Sequence, residues 1–142
     1  MKKLLVILVI CFAQNVIAQE ADVKKTIQIF FDGMQKGDTL KIKSVCKDMV
    51  LQSVGESHKG TTLTTENTAD FLKSIASIPT DIKIEERLLD YKIQIDGSLA
   101  HAWTPYEFYV NGKLSHKGVN SFQLFKDNGN WKIIYIADTR RK

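Results

Sequence analysis

The stretch YKIQIDGSLAHAWTPYEFYVNGKLSHKGVNSFQLFKDNGNWKIIYIAD, residues 91–138, decides the fold. Asp96-Gly97, Asn111-Gly112 and Asn128-Gly129 divide it. Two-residue hairpin turns select such pairs, because both central positions of a type I′ turn need positive φ. The runs between them are rich in β-branched and aromatic residues, as strands are. The pattern predicts strands over 82–95, 99–110, 114–126 and 131–138, joined as a meander of long antiparallel strands.

Toward the N-terminus the period changes. Asp22 precedes Val23, Ile27, Phe30, Phe31 and Met34, which fall on one helical stripe, and Gly37 follows as a stop. Asp38 is placed to cap a second, short helix carrying Leu40, Val45 and Cys46. Residues 49–54 read as a short strand and 55–60 as a polar loop. Thr65 reads as the cap of a third helix with Phe71, Leu72, Ile75 and Ala76 on one side, stopped by Pro79. Helices first and a curved sheet after is an α+β order.

The chain opens Met1-Lys2-Lys3, continues with an apolar run from Leu4 to Ala13, and reaches Val16-Ile17-Ala18. A short basic region, an apolar core and a cleavage motif form a secretory signal peptide. The run is too short for a bilayer span of roughly 20 residues, so no stable membrane anchor is expected. Cleavage near Ala18 divides the chain into a signal peptide, 1–18, and one domain, 19–142, and places the product in the periplasm or outside the cell. The net charge of +4 includes Lys2 and Lys3 with no acid before Ala18, so the mature domain carries +2. Its basic residues are scattered apart from Arg140-Arg141-Lys142, and no basic stripe with interleaved aromatics points to nucleic acid. Cys46 is then the only cysteine, so an internal disulfide is excluded; it reads as a small core residue.

Turn geometry sets register, and register sets which side chains share a face. A two-residue turn at Asn111-Gly112 pairs Glu107 with His116, Trp103 with Asn120 and His101 with Phe122. A turn at Asn128-Gly129 pairs Leu124 with Ile133 and Phe122 with Tyr135. A three-residue loop Asp96-Gly97-Ser98 pairs Tyr91 with Trp103 and Arg87 with Glu107. One face then gathers aromatic and aliphatic side chains around a few polar groups, the composition of a small-molecule pocket. The other face, with Tyr106, Phe108, Ile134 and Ile136, is apolar and without helices to cover it, which predicts a homodimer contact. Asp138-Thr139-Arg140 falls on that second face, where a salt bridge or dimer contact is expected.

Three helices followed by a strongly bent sheet of long strands resemble the nuclear transport factor 2-like superfamily. Tyr106-Glu107-Phe108-Tyr109, Gly112-Lys113, His116-Lys117-Gly118, Phe122, Trp131-Lys132-Ile133 and Asp138-Thr139-Arg140 resemble its lumazine-binding-like branch of bacterial proteins. The resemblance implies a cone-shaped, cystatin-like α+β fold in which three N-terminal helices pack on a strongly curved antiparallel sheet. Relatives of this fold include isomerases, dehydratases, cyclases and binding modules, so fold does not fix function.

The expected ligand-binding residues are Tyr91, Trp103, Glu107, His116, Asn120 and Tyr135. Glu107 beside His116 forms a candidate acid–base pair, or a buried cross-strand hydrogen bond with no chemistry. The first helix has Phe30 and Phe31 but no tyrosine to serve as the oxyanion donor of steroid isomerases. His101 and His116 lie too far apart along their strands to serve one atom, and no metal-ligand spacing is present; no metal and no cofactor are expected. The leading expectation is an exported module that holds an apolar or aromatic small molecule, a reading that leans away from an enzyme without deciding it. The alternatives are a cofactor-free lyase or isomerase using Glu107 and His116, and a dimeric structural or interaction protein.

Overall fold

A computed structural model describes residues 2–141, with side chains described from residue 17 onward. Met1 and the side chains of most of the expected signal peptide therefore lie outside the described residues. Helix α1 spans Lys2–Lys36, α2 Thr39–Val45 and α3 Thr68–Ala76. The strands are β1 Cys46–Ser57, β2 Gly60–Asn67, β3 Ile84–Leu88, β4 Lys92–Asp96, β5 Leu99–Val110, β6 Lys113–Asp127 and β7 Asn130–Arg140. They form one sheet in the order β2-β1-β7-β6-β5-β3, with β4 also pairing on β5. The sheet is mixed rather than purely antiparallel, because β1 runs parallel to β7.

Helix α1 buries the stripe read from the sequence: Val23 and Ile27 are fully buried, and Phe30, Phe31 and Met34 nearly so. Each such side chain removed from water contributes about 2 kcal/mol. The helix does not start at Asp22 but continues without a break from Lys2. Gly37 ends it at φ 66°, and the Asp38 carboxylate accepts from the Lys41 amide at 2.9 Å to cap α2. On α2 it is Ile42 that turns inward, while Leu40 is exposed. The cap of α3 is Asn67, accepting from the Asp70 amide at 2.9 Å, and not Thr65, which lies within the edge strand β2.

Asn111-Gly112 and Asn128-Gly129 form the expected turns, all four residues having positive φ. The third turn has two residues, Gly97 and Ser98, because Asp96 pairs with Leu99. Beyond the turns the register departs from the expectation at two bulges. Tyr109 pairs with Leu114 but Phe108 with His116, so Ser115 is the extra residue in β6. Leu124 pairs with Ile133 but Gln123 with Tyr135, so Ile134 is the extra residue in β7. Each bulge shifts pairing by one, and side chains alternate with period two, so everything beyond it changes face.

The face that packs on the helices therefore carries Ala100, Ala102, Thr104, Tyr106 and Phe108 from β5. His116, Asn120, Phe122 and Leu124 join them from β6, and Ile133, Ile136 and Asp138 from β7. Ala100, Ala102, Thr104, Phe122, Leu124 and Ile133 are at most 1% exposed. Helix α1 packs on this face, where its Phe31 and Phe30 meet Phe122 edge-on at 5.9 and 6.4 Å.

Candidate functional site

Between α1, α3 and the far half of this face lies a cavity of about 330 Å³. Its apolar wall includes Phe30, Phe31, Met34, Phe71, Ile75 and Phe108, with Phe30 and Phe71 stacked at 5.5 Å. Its polar end is made by Glu86 of β3, His116 and Asn120 of β6, and Asp138 and Arg140 of β7. Three strands deliver these groups to one place because Glu86 pairs with Phe108, Phe108 with His116, and Asn120 with Asp138.

The polar groups are tied to each other. Asn120 Nδ2 donates to Glu86 Oε1 at 2.7 Å. Arg140 Nε donates to Asp138 Oδ2 at 3.1 Å, and its guanidinium also donates to Ser53 Oγ at 2.9 Å. Asp138 is 8% exposed, yet its Oδ1 has no hydrogen-bond partner among the described residues. Burial pushes the Glu86 carboxyl up to about 7, against the Asn120 hydrogen bond that favours its ionised form. His116 stacks on Phe108 at 4.9 Å and meets the Tyr106 ring edge-on at 5.8 Å. Burial lowers the imidazole's proton affinity, and Arg140 nearby lowers it further. Tyr106 closes the floor by donating to the Thr139 carbonyl at 2.9 Å.

Of the residues expected to bind ligand, the structure brings His116 and Asn120 to the cavity and leaves the others elsewhere. Glu107 pairs with Lys117, not His116, and faces away from the helices. Lys117 Nζ and Tyr109 Oη contact its carboxylate at 2.6 and 2.8 Å, and both hold its proton affinity below the ordinary range. The Glu107–His116 acid–base pair therefore does not exist. Arg87 does pair with Glu107, but its guanidinium binds Glu85 and lies 4.1 Å over the Tyr109 ring on the outer face. Trp103 pairs with Ser121 and is 43% exposed. Tyr135 reaches Gln52 Oε1 at 2.5 Å on the outer side. Tyr91 sits at the kink between β3 and β4, in a separate groove with Gln28 and Asp32 that Glu86 also borders.

The expected dimer face is corrected for the same reason. Tyr106 and Ile136 are each 2% exposed and line the cavity with Phe108, and Ile134 is the bulged residue. Asp138 and Arg140 do form the expected salt bridge, but among the residues that line the cavity, with the Arg140 side chain half exposed. Glu86, Asp138 and Arg140 were not anticipated as site residues. For Glu86 a signal was available: it stands in phase with Ile82, Ile84 and Leu88, a carboxylate on the apolar side of its strand.

No family model matches the chain. In sequence it is similar to Sm-like protein LSM36B of Arabidopsis thaliana, 36% identical over 93 residues, which take in 63% of this chain and 92% of that protein. In structure it is similar to an NTF2-like protein from Cytophaga hutchinsonii, with a TM-score of 0.70 and 16% identity over 87% of this chain and 98% of the other. It is also similar to a candidate dehydratase of the NTF2-like family from Streptomyces avermitilis, with a TM-score of 0.66 and 18% identity over 86% of this chain and 95% of the other. The sequence match leaves more than a third of the chain outside it, whereas the structural matches take in nearly the whole architecture of helices and bent sheet. The chain therefore has the NTF2-like, cystatin-like α+β fold.

Proposed function

We propose that the protein is an exported binding module that holds a small, largely apolar or aromatic molecule in the cone. The observation that carries this reading is the cavity itself: about 330 Å³, walled by Phe30, Phe71, Ile75 and Phe108, with a cluster of polar groups around Glu86 and Asp138. Apolar walls with a few converging polar groups are the usual make-up of a ligand site, and this volume is at the small end of the range. A planar heteroaromatic, the ligand class suggested by the lumazine-binding-like resemblance, is one such molecule.

Export rests on the pattern of Met1–Ala18. Removal of those residues takes away none of the described core, whose first member is Val23; Ile17 is 68% exposed. The homodimer of this proposal uses the outer sheet face, where Leu99, Trp103 and Leu114 are exposed.

The test is native mass spectrometry of the protein recovered after export in a bacterial host. The expected result is a chain beginning at Gln19 that carries a small molecule released on denaturation, and an Ile75→Trp variant, filled at the cavity wall, that carries none. A molecule retained equally by the filled variant would overturn the cavity assignment.

A second reading, a cofactor-free lyase or isomerase, is favoured by one observation. A carboxyl that titrates at about 7 inside an apolar cavity is suited to move a proton at neutral pH. In that reading Glu86 takes the place expected of Glu107, and His116 stands by as an uncharged partner.

A further inference from the structure

The polar end of the cavity gathers two carboxyl groups, Glu86 and Asp138, beside one guanidinium, Arg140. Its donors already serve acceptors of the protein, Arg140 binding Asp138 Oδ2 and Ser53, Asn120 Nδ2 binding Glu86 Oε1, and Tyr106 binding the Thr139 carbonyl, while Arg140, Asn120 and the His116 ring keep further N–H groups. What is left over is Asp138 Oδ1, buried without a partner, and Glu86 Oε2, which makes no hydrogen bond to any described residue. A carboxylate ligand would bring a third carboxyl group to Glu86 and Asp138, neither carbonyl nor carboxylate oxygen can donate to Asp138 Oδ1, and an alcohol supplies one donor. A protonated primary amine supplies three donors, no acceptor and a positive charge.

We propose that the ligand is a primary amine, its ammonium group held by Asp138 Oδ1 and Glu86 Oε2 and its aromatic or branched apolar body packed against Phe30, Phe71 and Phe108. This rests on the reading of the cavity as a ligand site and adds the chemical class of the ligand. An ammonium in place satisfies the orphaned Asp138 oxygen, whose burial without a partner is otherwise unfavourable.

A proton linkage follows. The groups around Glu86 are Asp138 and Arg140 from β7, His116 from β6, Glu66 from β2, and Asp32 and Tyr91 across the outer groove. Asp32 is already bound to Lys36 and Lys41. A cation beside Glu86 favours its ionised form, so binding expels the Glu86 proton and affinity falls as the pH drops below about 7. His116, if it charges at lower pH, acts in the same direction.

The experiment is calorimetric titration of the purified protein with 2-phenylethylamine, 2-phenylethanol and 3-phenylpropanoate, probes of similar size that differ in their polar end. The expected result is that the amine binds about tenfold or more tightly than the other two at mildly alkaline pH. Its affinity should fall about tenfold for each pH unit below the Glu86 titration, reflecting one linked proton. Glu86→Gln removes the loss of affinity that sets in at about pH 7, and Asp138→Asn, a second variant that keeps the shape, weakens the amine selectively. Tighter binding of the alcohol or the carboxylate overturns the amine assignment while leaving the cavity reading standing. An amine affinity unchanged in both variants does the same. Failure of all three probes to bind at millimolar concentration overturns both.

Discussion

Glu86→Gln tests the site without any ligand. An ordinary glutamate titrates near 4.5, and burial moves Glu86 to about 7. At about 1.4 kcal/mol for each unit of pKa, the gap corresponds to about 3 kcal/mol. The sign follows from which state binds the proton more tightly. Below 4.5 the carboxyl is protonated in both the folded and the unfolded chain. Between 4.5 and about 7 the unfolded chain gives up its proton while the folded one keeps it, so stability drains away as the pH rises. Above about 7 the whole deficit is present. Glutamine does not titrate here and keeps the oxygen that accepts from Asn120 at 2.7 Å, so the variant escapes this loss. Urea unfolding followed by circular dichroism, extrapolated to water, should show the variant gaining on the wild type by about 3 kcal/mol between acidic and mildly alkaline pH. His116 and the other titrating groups are common to both proteins, so to first order they cancel in the difference. A difference that stays flat would mean that Glu86 ionises as easily in the fold as in the open chain, and the placement of its carboxyl in a water-poor cavity would be wrong.

Other perturbations probe the frame around it. A Cβ on Gly118 would lie 1.7 Å from the Thr139 carbonyl oxygen and 2.8 Å from the Tyr106 ring; Gly118→Ala should cost about 3 kcal/mol in the same unfolding assay and disturb the strands that position Asn120 and Asp138. Thr104 Oγ1 is buried with no partner; Thr104→Val replaces it with a methyl of the same shape and should raise stability by about 1 kcal/mol, and a loss would reveal a hidden partner for the hydroxyl. Trp103→Ala, on the outer face, should change stability by only about 0.5 kcal/mol and leave any co-purified ligand in place; loss of that ligand would show that the indole belongs to the cavity after all.

The features written into short stretches were legible, and those decided over a distance were not. Asn111-Gly112 and Asn128-Gly129 announce their turns because few other pairs tolerate two positive φ values, and Asp38 announces α2 because its carboxylate meets an amide three residues on. Nothing in the chemistry of Ser115 or Ile134 announces a bulge, yet each reverses the faces beyond it. His116 and Asn120 were placed correctly because they share the phase of Phe122 and Leu124 on their own strand, which no error in pairing can change. Trp103, Glu107 and Tyr135 were misplaced because their side of the sheet was inferred by counting across strands from a turn. The competing evidence lay within β5 itself. Ala100, Ala102, Tyr106 and Phe108 form a nearly unbroken apolar phase, whereas the phase of Trp103 also holds His101, Pro105 and Glu107. The first phase is also the covered one: Ala100 and Ala102 are 1% and 0% exposed, whereas Trp103 is 43% exposed. Within one strand, then, the more consistently apolar phase is a better guide to the covered face than any register carried across a turn, and applied to Ile82, Ile84, Glu86 and Leu88 the same rule picks out the carboxylate at the centre of the site.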